Sequence, residues 1–140
     1  MEIRSGEPRD VEAMAPLAAH VVGAGRAEAF LRSYLDRHHV LVAEADGRMV
    51  GVIAFRDDWF QCAFVSLVSV HKDYRRRGVA RALYERVAGM TTTPRLFSST
   101  EETNGVSIRM HAALGFVPSG HIDNLPQGYR ELLFYKRLAP

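Results

Sequence analysis

Residues 67–83, LVSVHKDYRRRGVARAL, constrain this chain more than any other stretch. An apolar, β-branched run ends at Val70, and a short polar connector, His71-Lys72-Asp73-Tyr74, follows it. Arg75-Arg76-Arg77-Gly78-Val79-Ala80 then leads into a segment with Val79, Leu83 and Val87 at helical spacing. A strand that feeds a glycine-containing turn and then a helix is a device for holding anions. The first-turn N–H groups have no carbonyl partner inside the helix, and the helix dipole adds partial positive charge at the same end. Gly78 has no Cβ, so a ligand can approach the backbone closely. Arginines add charge and paired donors, which suit a phosphate or pyrophosphate. No GxxxxGK[ST] and no GxGxxG after a strand occurs, so neither a P-loop nor a dinucleotide fingerprint explains the turn.

The totals narrow the class of ligand. A net charge of +2 is too small to argue for a nucleic-acid partner, and the basic excess is local, at Arg75, Arg76, Arg77 and Arg81. That favours a small anionic cofactor over a long polyanion. The 140 residues, 47% hydrophobic and 24% charged, suit a single domain over 1–140 with a real core. The single cysteine, Cys62, excludes an internal disulfide and a cysteine zinc cluster. His20, His38 and His39 lack metal-ligand spacing with any partner, so no metal is expected. The N-terminal residues have no apolar core of a signal peptide, and no apolar run reaches membrane-spanning length. The expectation is a cytoplasmic protein with no membrane partner.

In chain order, residues 2–4 read as a short edge strand. Pro8 suits a helix start, and Val11, Met14, Leu17, Ala18 and Val21 recur at helical spacing up to Gly23 and Gly25. Pro16 falls inside that pattern and predicts a kink or a late start. Residues 27–37 form a second helix. Residues 40–45 and 49–55 are strands joined by Asp46-Gly47, a strong hairpin signal. Asp57-Asp58-Trp59 reads as a polar turn before a third long strand, residues 60–70, whose apolar run from Ala63 places it centrally. The helix after Gly78 exposes Arg81 and Glu85 as an i,i+4 pair and breaks at Thr91-Thr92-Thr93-Pro94. A short strand at 95–99 should lie parallel to 60–70 through a right-handed crossover. Residues 104–114 form a helix capped by Gly115, and 116–122 with 131–138 close the chain as an antiparallel pair. The fold class is therefore mixed α/β: a sheet with helices on its faces.

On a wheel through residues 104–114, Asn104, Ser107, Ile108 and His111 point one way. Val106, Met110, Ala113 and Leu114 point the other, which predicts that the latter face the core. The ordinary readings are a solvated basic turn at Arg75–Arg77 and a helix N-cap at Asn104. The two segments together support more. Arg75-x-x-Gly78-x-Ala80 resembles the acetyl-CoA signature [RQ]xxGx[GA] of the GNAT acetyltransferase superfamily. The segment from Asn104 to Gly115-Phe116 resembles that family's NxxAxxxYxxxGF, with Ser107 as the small residue and His111 at the tyrosine position.

The resemblance implies the GNAT fold: a central, mostly antiparallel sheet of about seven strands with a splayed parallel pair and helices on both faces. It implies an N-acetyltransferase in which an amine attacks the acetyl-CoA thioester directly. By position, the backbone around Val68, Ser69 and Val70 would bond the pantetheine arm. The turn through Arg75, Arg76, Arg77, Gly78, Val79, Ala80 and Arg81 would bind the pyrophosphate, and Asn104, with Ser107 beside it, would reach the pantetheine. Two departures affect catalysis. The family's frequent base, a glutamate on the central strand, corresponds to Ser66, a poor base. Base candidates are then Asp57, Asp58, Glu28 and His39, and the sequence does not choose among them. The tyrosine that often protonates the leaving thiolate corresponds to His111, which can serve as a general acid or simply pack against the cofactor. The acceptor, a small amine or a protein amine, is not legible, and a homodimer is allowed. A non-catalytic acyl-CoA-binding or sensing module is the alternative function.

Overall fold

The computed structural model describes residues 1–138. The elements are β1 (Glu2–Ser5), a 3₁₀ turn (Pro8–Asp10), α1 (Val11–Val22), α2 (Ala27–Arg37), β2 (His39–Ala45), β3 (Arg48–Trp59) and β4 (Cys62–Val70). A 3₁₀ turn (Lys72–Tyr74), α3 (Val79–Met90), β5 (Arg95–Glu101), α4 (Gly105–Ala113), β6 (Val117–Ile122) and β7 (Glu131–Arg137) follow. The strands form one seven-stranded sheet in the order β1-β2-β3-β4-β5-β7-β6. Among the described residues only β4 and β5 run parallel, joined by α3, as the strand-helix-strand pattern requires. The mixed, mostly antiparallel sheet with helices on both faces is the expected architecture. Among the described residues, no helix is long and apolar enough to cross a membrane.

The period-2 pattern of β2 to β4 feeds two cores. On one face α1 and α2 bring Met14, Leu17, Leu31 and Tyr34 onto Val40, Val42, Val52, Ala54 and Leu67. On the other, α3 brings Val79, Leu83, Tyr84 and Val87 onto Leu41, Ala43, Ile53, Phe55 and Val65. The fit under α3 is close. A Cβ on Gly51 would lie 2.8 Å from Val79 Cγ1 and 3.2 Å from Leu83 Cδ1, so glycine lets the helix rest on β3. At the chain start, Arg4 clasps Asp10 through two bonds of 2.9 Å and donates to Glu44 at 2.6 Å, tying β1 and β2 to the first helical turn.

Two local expectations are corrected. Asp57-Asp58-Trp59 is not a turn. β3 continues to Trp59, which pairs with Cys62 and stacks on Phe64 at 4.8 Å. The reversal falls instead at Phe60-Gln61, both at positive φ (50° and 63°). Cross-strand aromatic packing outweighs the poor strand propensity of two aspartates. The wheel over 104–114 holds for Leu114, which is buried, and for Met110, which packs on the core, but not for Val106, Ala113 or His111. Val106 is 70% exposed and Ala113 is exposed, whereas His111 is 1% exposed and is the deepest side chain of α4. The helix is short and weakly amphipathic, so its orientation follows a specific polar partner on the sheet rather than an apolar stripe. Pro16 does not interrupt α1. The carbonyl it deprives of a partner belongs to exposed Glu12, where water can serve.

Candidate active site

The sheet opens at one residue. Ala54 pairs with Leu67 and Phe55 with Val65, so Ser66 is an extra residue, a β-bulge in β4. The parallel ladder to β5 has three pairs, Ala63–Leu96, Phe64–Phe97 and Val65–Ser98, and ends at the bulge. Beyond it β4 stays with β3 up to the Val70–Gly51 pair, while Ser99, Thr100 and Glu101 of β5 stay with β7. The strands thus diverge into a V whose apex is Val65–Ser66. Along one arm, Val68, Ser69 and Val70 lack a strand partner on the β5 side among the described residues. An extended chain with amide groups can supply the missing bonds.

Both arms lead to helix starts at the mouth of the V, the place where parallel strands present their carboxyl ends to ligands. After β4, Arg75 is extended, Arg76 and Gly78 are left-handed at φ 63° and 81°, and α3 starts at Val79. Arg75, Arg76 and Arg77 are all exposed. A Cβ built on Gly78 would have no atom within 4 Å, so the space in front of this backbone is open. Its chemistry and room suit a pyrophosphate. Arg77 lies over the Tyr74 ring at 5.1 Å, and Tyr74 is fixed by a 2.8 Å bond to Asp46. Arg81 donates to the Ala113 carbonyl at 3.3 Å, bridging α3 and α4, and forms no pair with Glu85. After β5, Asn104 caps α4 by accepting from the Ser107 N–H at 3.0 Å. Its Oδ1 is engaged there, so the amide NH₂ is the group left to meet a ligand carbonyl.

His111 lies behind this rim, not in it. Its Nδ1–H donates to the Ser107 carbonyl at 2.7 Å, because a carbonyl can only accept. The Ser98 hydroxyl therefore donates to Nε2 at 2.8 Å, and the Tyr84 hydroxyl donates to Ser98 at 2.9 Å. The ring stacks on Phe134 at 4.5 Å. Burial holds its pKa below the ordinary histidine value, only partly opposed by the bond to Ser107. α4, β5 and α3 are thus pinned together by one satisfied buried polar chain.

The opposite face of the apex carries a second chain of polar groups. Tyr34 of α2, 8% exposed, places its hydroxyl 2.5 Å from Ser66 Oγ. Arg56 donates to the same tyrosine oxygen at 3.5 Å, lies over its ring at 5.9 Å, and is held by Asp58 at 2.6 and 3.1 Å. The two aspartates diverge. Asp58 joins this cluster, and Arg56 keeps its carboxyl below the usual carboxylate range. Asp57 turns to the α3 face, accepting from Thr91 at 2.7 Å and pairing with His39 at 3.2 Å. Glu28 is on the outer side of α2, paired with Arg32 at 3.1 Å. Neither Tyr34 nor Arg56 stands out in the sequence. Tyr34 reads as one more apolar helix position, and the only signal is Ser66 where an acid is usual.

The GNAT acetyltransferase family model matches residues 11–116, from α1 to the start of the last hairpin. A GNAT-family acetyltransferase of Bacillus cereus superposes with a TM-score of 0.86 at 27% identity, over 97% of this chain and 96% of that one. Ard1 of Thermoplasma volcanium gives 0.88 at 19% identity, over 99% and 98%. The Salmonella typhimurium protein yncA, solved with its cofactor acetyl-CoA, gives 0.78 at 23%, over 100% and 95%. No curated protein matches the sequence significantly. With most of the chain matched and the splayed parallel strands in their expected place, this chain belongs to the GNAT family and is an acetyl-CoA-dependent N-acetyltransferase.

Proposed function

We propose that the protein transfers the acetyl group of acetyl-CoA to a primary amine by direct attack in the V between β4 and β5. The observation that carries this reading is the bulge at Ser66. It ends the parallel ladder and frees the β4 edge at Val68, Ser69 and Val70, in line with the anion turn. On this reading the turn from Arg75 to Arg81 holds the pyrophosphate by backbone N–H groups and arginine charge. Val68 and Val70 hold the pantetheine amides as an added strand would, and Asn104 donates to a pantetheine carbonyl while Ser107 supports the cap.

The rate then comes mainly from approximation and an oriented thioester. The amine loses its ammonium proton to water before attack, and no carboxylate is assigned as base. Asp58 is held ionised by Arg56, and Asp57 faces α3. Burial and a lowered pKa favour His111 as a packing residue rather than a proton donor to the thiolate. The test is a panel of small amines and peptides offered with acetyl-CoA, read by release of free CoA thiol. Thiol release with at least one amine is expected. Tight acetyl-CoA binding with no release from any amine would replace the reading by a non-catalytic acyl-CoA-binding module.

A further inference from the structure

The charged end of the apex chain favours one direction for its hydrogen bonds. A guanidinium has only donors, so Arg56 donates to the Tyr34 oxygen. Tyr34 then has its own proton to place, and among the described residues the acceptor in reach is Ser66 Oγ at 2.5 Å. The serine proton is thereby left over. Among the described residues Ser66 Oγ has no other partner than Tyr34. Ser66 is also the bulge residue, set where β4 and β5 part.

We propose that Ser66 is a catalytic hydrogen-bond donor to the acetyl carbonyl oxygen, with Tyr34 and Arg56 as positioning residues that hold it in the donating sense. This rests on the acetyl-transfer reading above. A chain that starts on a cation and passes protons outward is unsuited to removing a proton from an ammonium group. It suits an oxygen that gains negative charge. The neutral amine nitrogen bonds to the thioester carbon, and the C=O π pair moves onto the oxygen, which accepts from Ser66. The pair then returns, the C–S bond breaks, and the sulfur leaves with its electrons. The proton shed by the new amide nitrogen reaches the thiolate through water, giving the N-acetylated amine and CoA thiol. Where a base is usual, this chain carries an oxyanion donor, and Asp58 serves by fixing Arg56.

The test needs no knowledge of the acceptor. Acetyl-CoA labelled with ¹³C at the thioester carbonyl is bound to the intact protein, and the carbonyl stretch and carbon resonance are recorded. In the wild type both should move in the direction of stronger hydrogen bonding. Ser66→Ala should abolish the Ser66 part of that shift, Tyr34→Phe should reduce it, and Ser66→Thr should retain it. Arg56→Gln, at a half-buried surface position, reads the same relay if a core variant folds poorly. With any amine that turns over, Ser66→Ala should lower kcat about a hundredfold, with KM for acetyl-CoA nearly unchanged. A bound carbonyl at the wild-type frequency in Ser66→Ala would overturn the proposal while leaving acetyl transfer intact. No binding of labelled acetyl-CoA to the wild type would instead overturn the acetyl-transfer reading, and this proposal with it.

Discussion

Gly78 stands at φ 81° with nothing within 4 Å of where a side chain would start. Substitution there is therefore strained by backbone conformation but meets no protein atom. Gly78→Val should cost about 1–3 kcal/mol of stability and place a branched side chain across the anion path. Acetyl-CoA affinity should fall about tenfold or more by titration, well beyond the effect of Gly78→Ala. Unchanged affinity in the valine variant would remove this turn from the cofactor site. His111 calls for a different expectation. Replacing it by phenylalanine keeps the stack on Phe134 but leaves Ser98 and Tyr84 short of one acceptor, a loss of about 1–3 kcal/mol. Because α4 carries Asn104, the variant should raise KM for acetyl-CoA more than it lowers kcat. A kcat loss at constant KM would restore His111 as a proton donor.

Among the elements, α3 is the part whose placement matters most, since its first turn is the floor of the anion turn. Its seat depends on the missing side chain of Gly51. Gly51→Ala introduces a contact of 2.8 Å to Val79, the first residue of the helix, so the helix must lift at the end proposed to bind the cofactor. The expected result is a destabilisation of about 1–3 kcal/mol together with weaker acetyl-CoA binding if the proposed turn holds the cofactor. A stable variant with wild-type affinity would show that α3 adjusts without moving its N-terminus. The β4 bulge works in the opposite sense: it adds a residue where pairing would otherwise continue. That residue both ends the parallel ladder and delivers Ser66 to Tyr34.

For the whole molecule, the cofactor should act as a clamp across β4, α3 and α4. Acetyl-CoA at a hundredfold excess over its Kd should add about 2.7 kcal/mol, a rise of roughly 10 °C in melting temperature. An unchanged melting temperature at millimolar acetyl-CoA would count against the assigned site. Acid should weaken the fold in two stages. His111 and His38 both have pKa values lowered in the folded state, each chiefly by burial. Their neutral forms favour the native state, so that contribution is complete above about 6.5 and is lost as pH falls from there through the folded-state values. Asp10, held low chiefly by its bonds from Arg4, acts below 3.8. Denaturant melts should therefore show stability falling from pH 6.5 downward in the wild type, and less steeply in His111→Phe. Equal slopes would mean that His111 titrates alike in the folded and unfolded chains.

The sequence by itself determined the layers, the parallel crossover around α3, the Asp46-Gly47 hairpin, the glycine turn that opens α3 at Gly78 and the cap at Asn104. These are local: each depends on the conformation of a few consecutive residues, and glycine, asparagine and apolar period report it directly. Tertiary structure alone decided the rest. Whether Asp57-Asp58 forms a turn depended on Trp59 meeting Phe64 across the hairpin, and whether His111 faced a cleft or the core depended on a hydroxyl on β5. Where β4 leaves β5, and which hydroxyl it then presents, depended on the register between strands. Ser66, Tyr34 and Arg56 lie on three different elements. No period or spacing along the chain encodes their meeting, because one residue of slip in β4 changes the face each side chain takes.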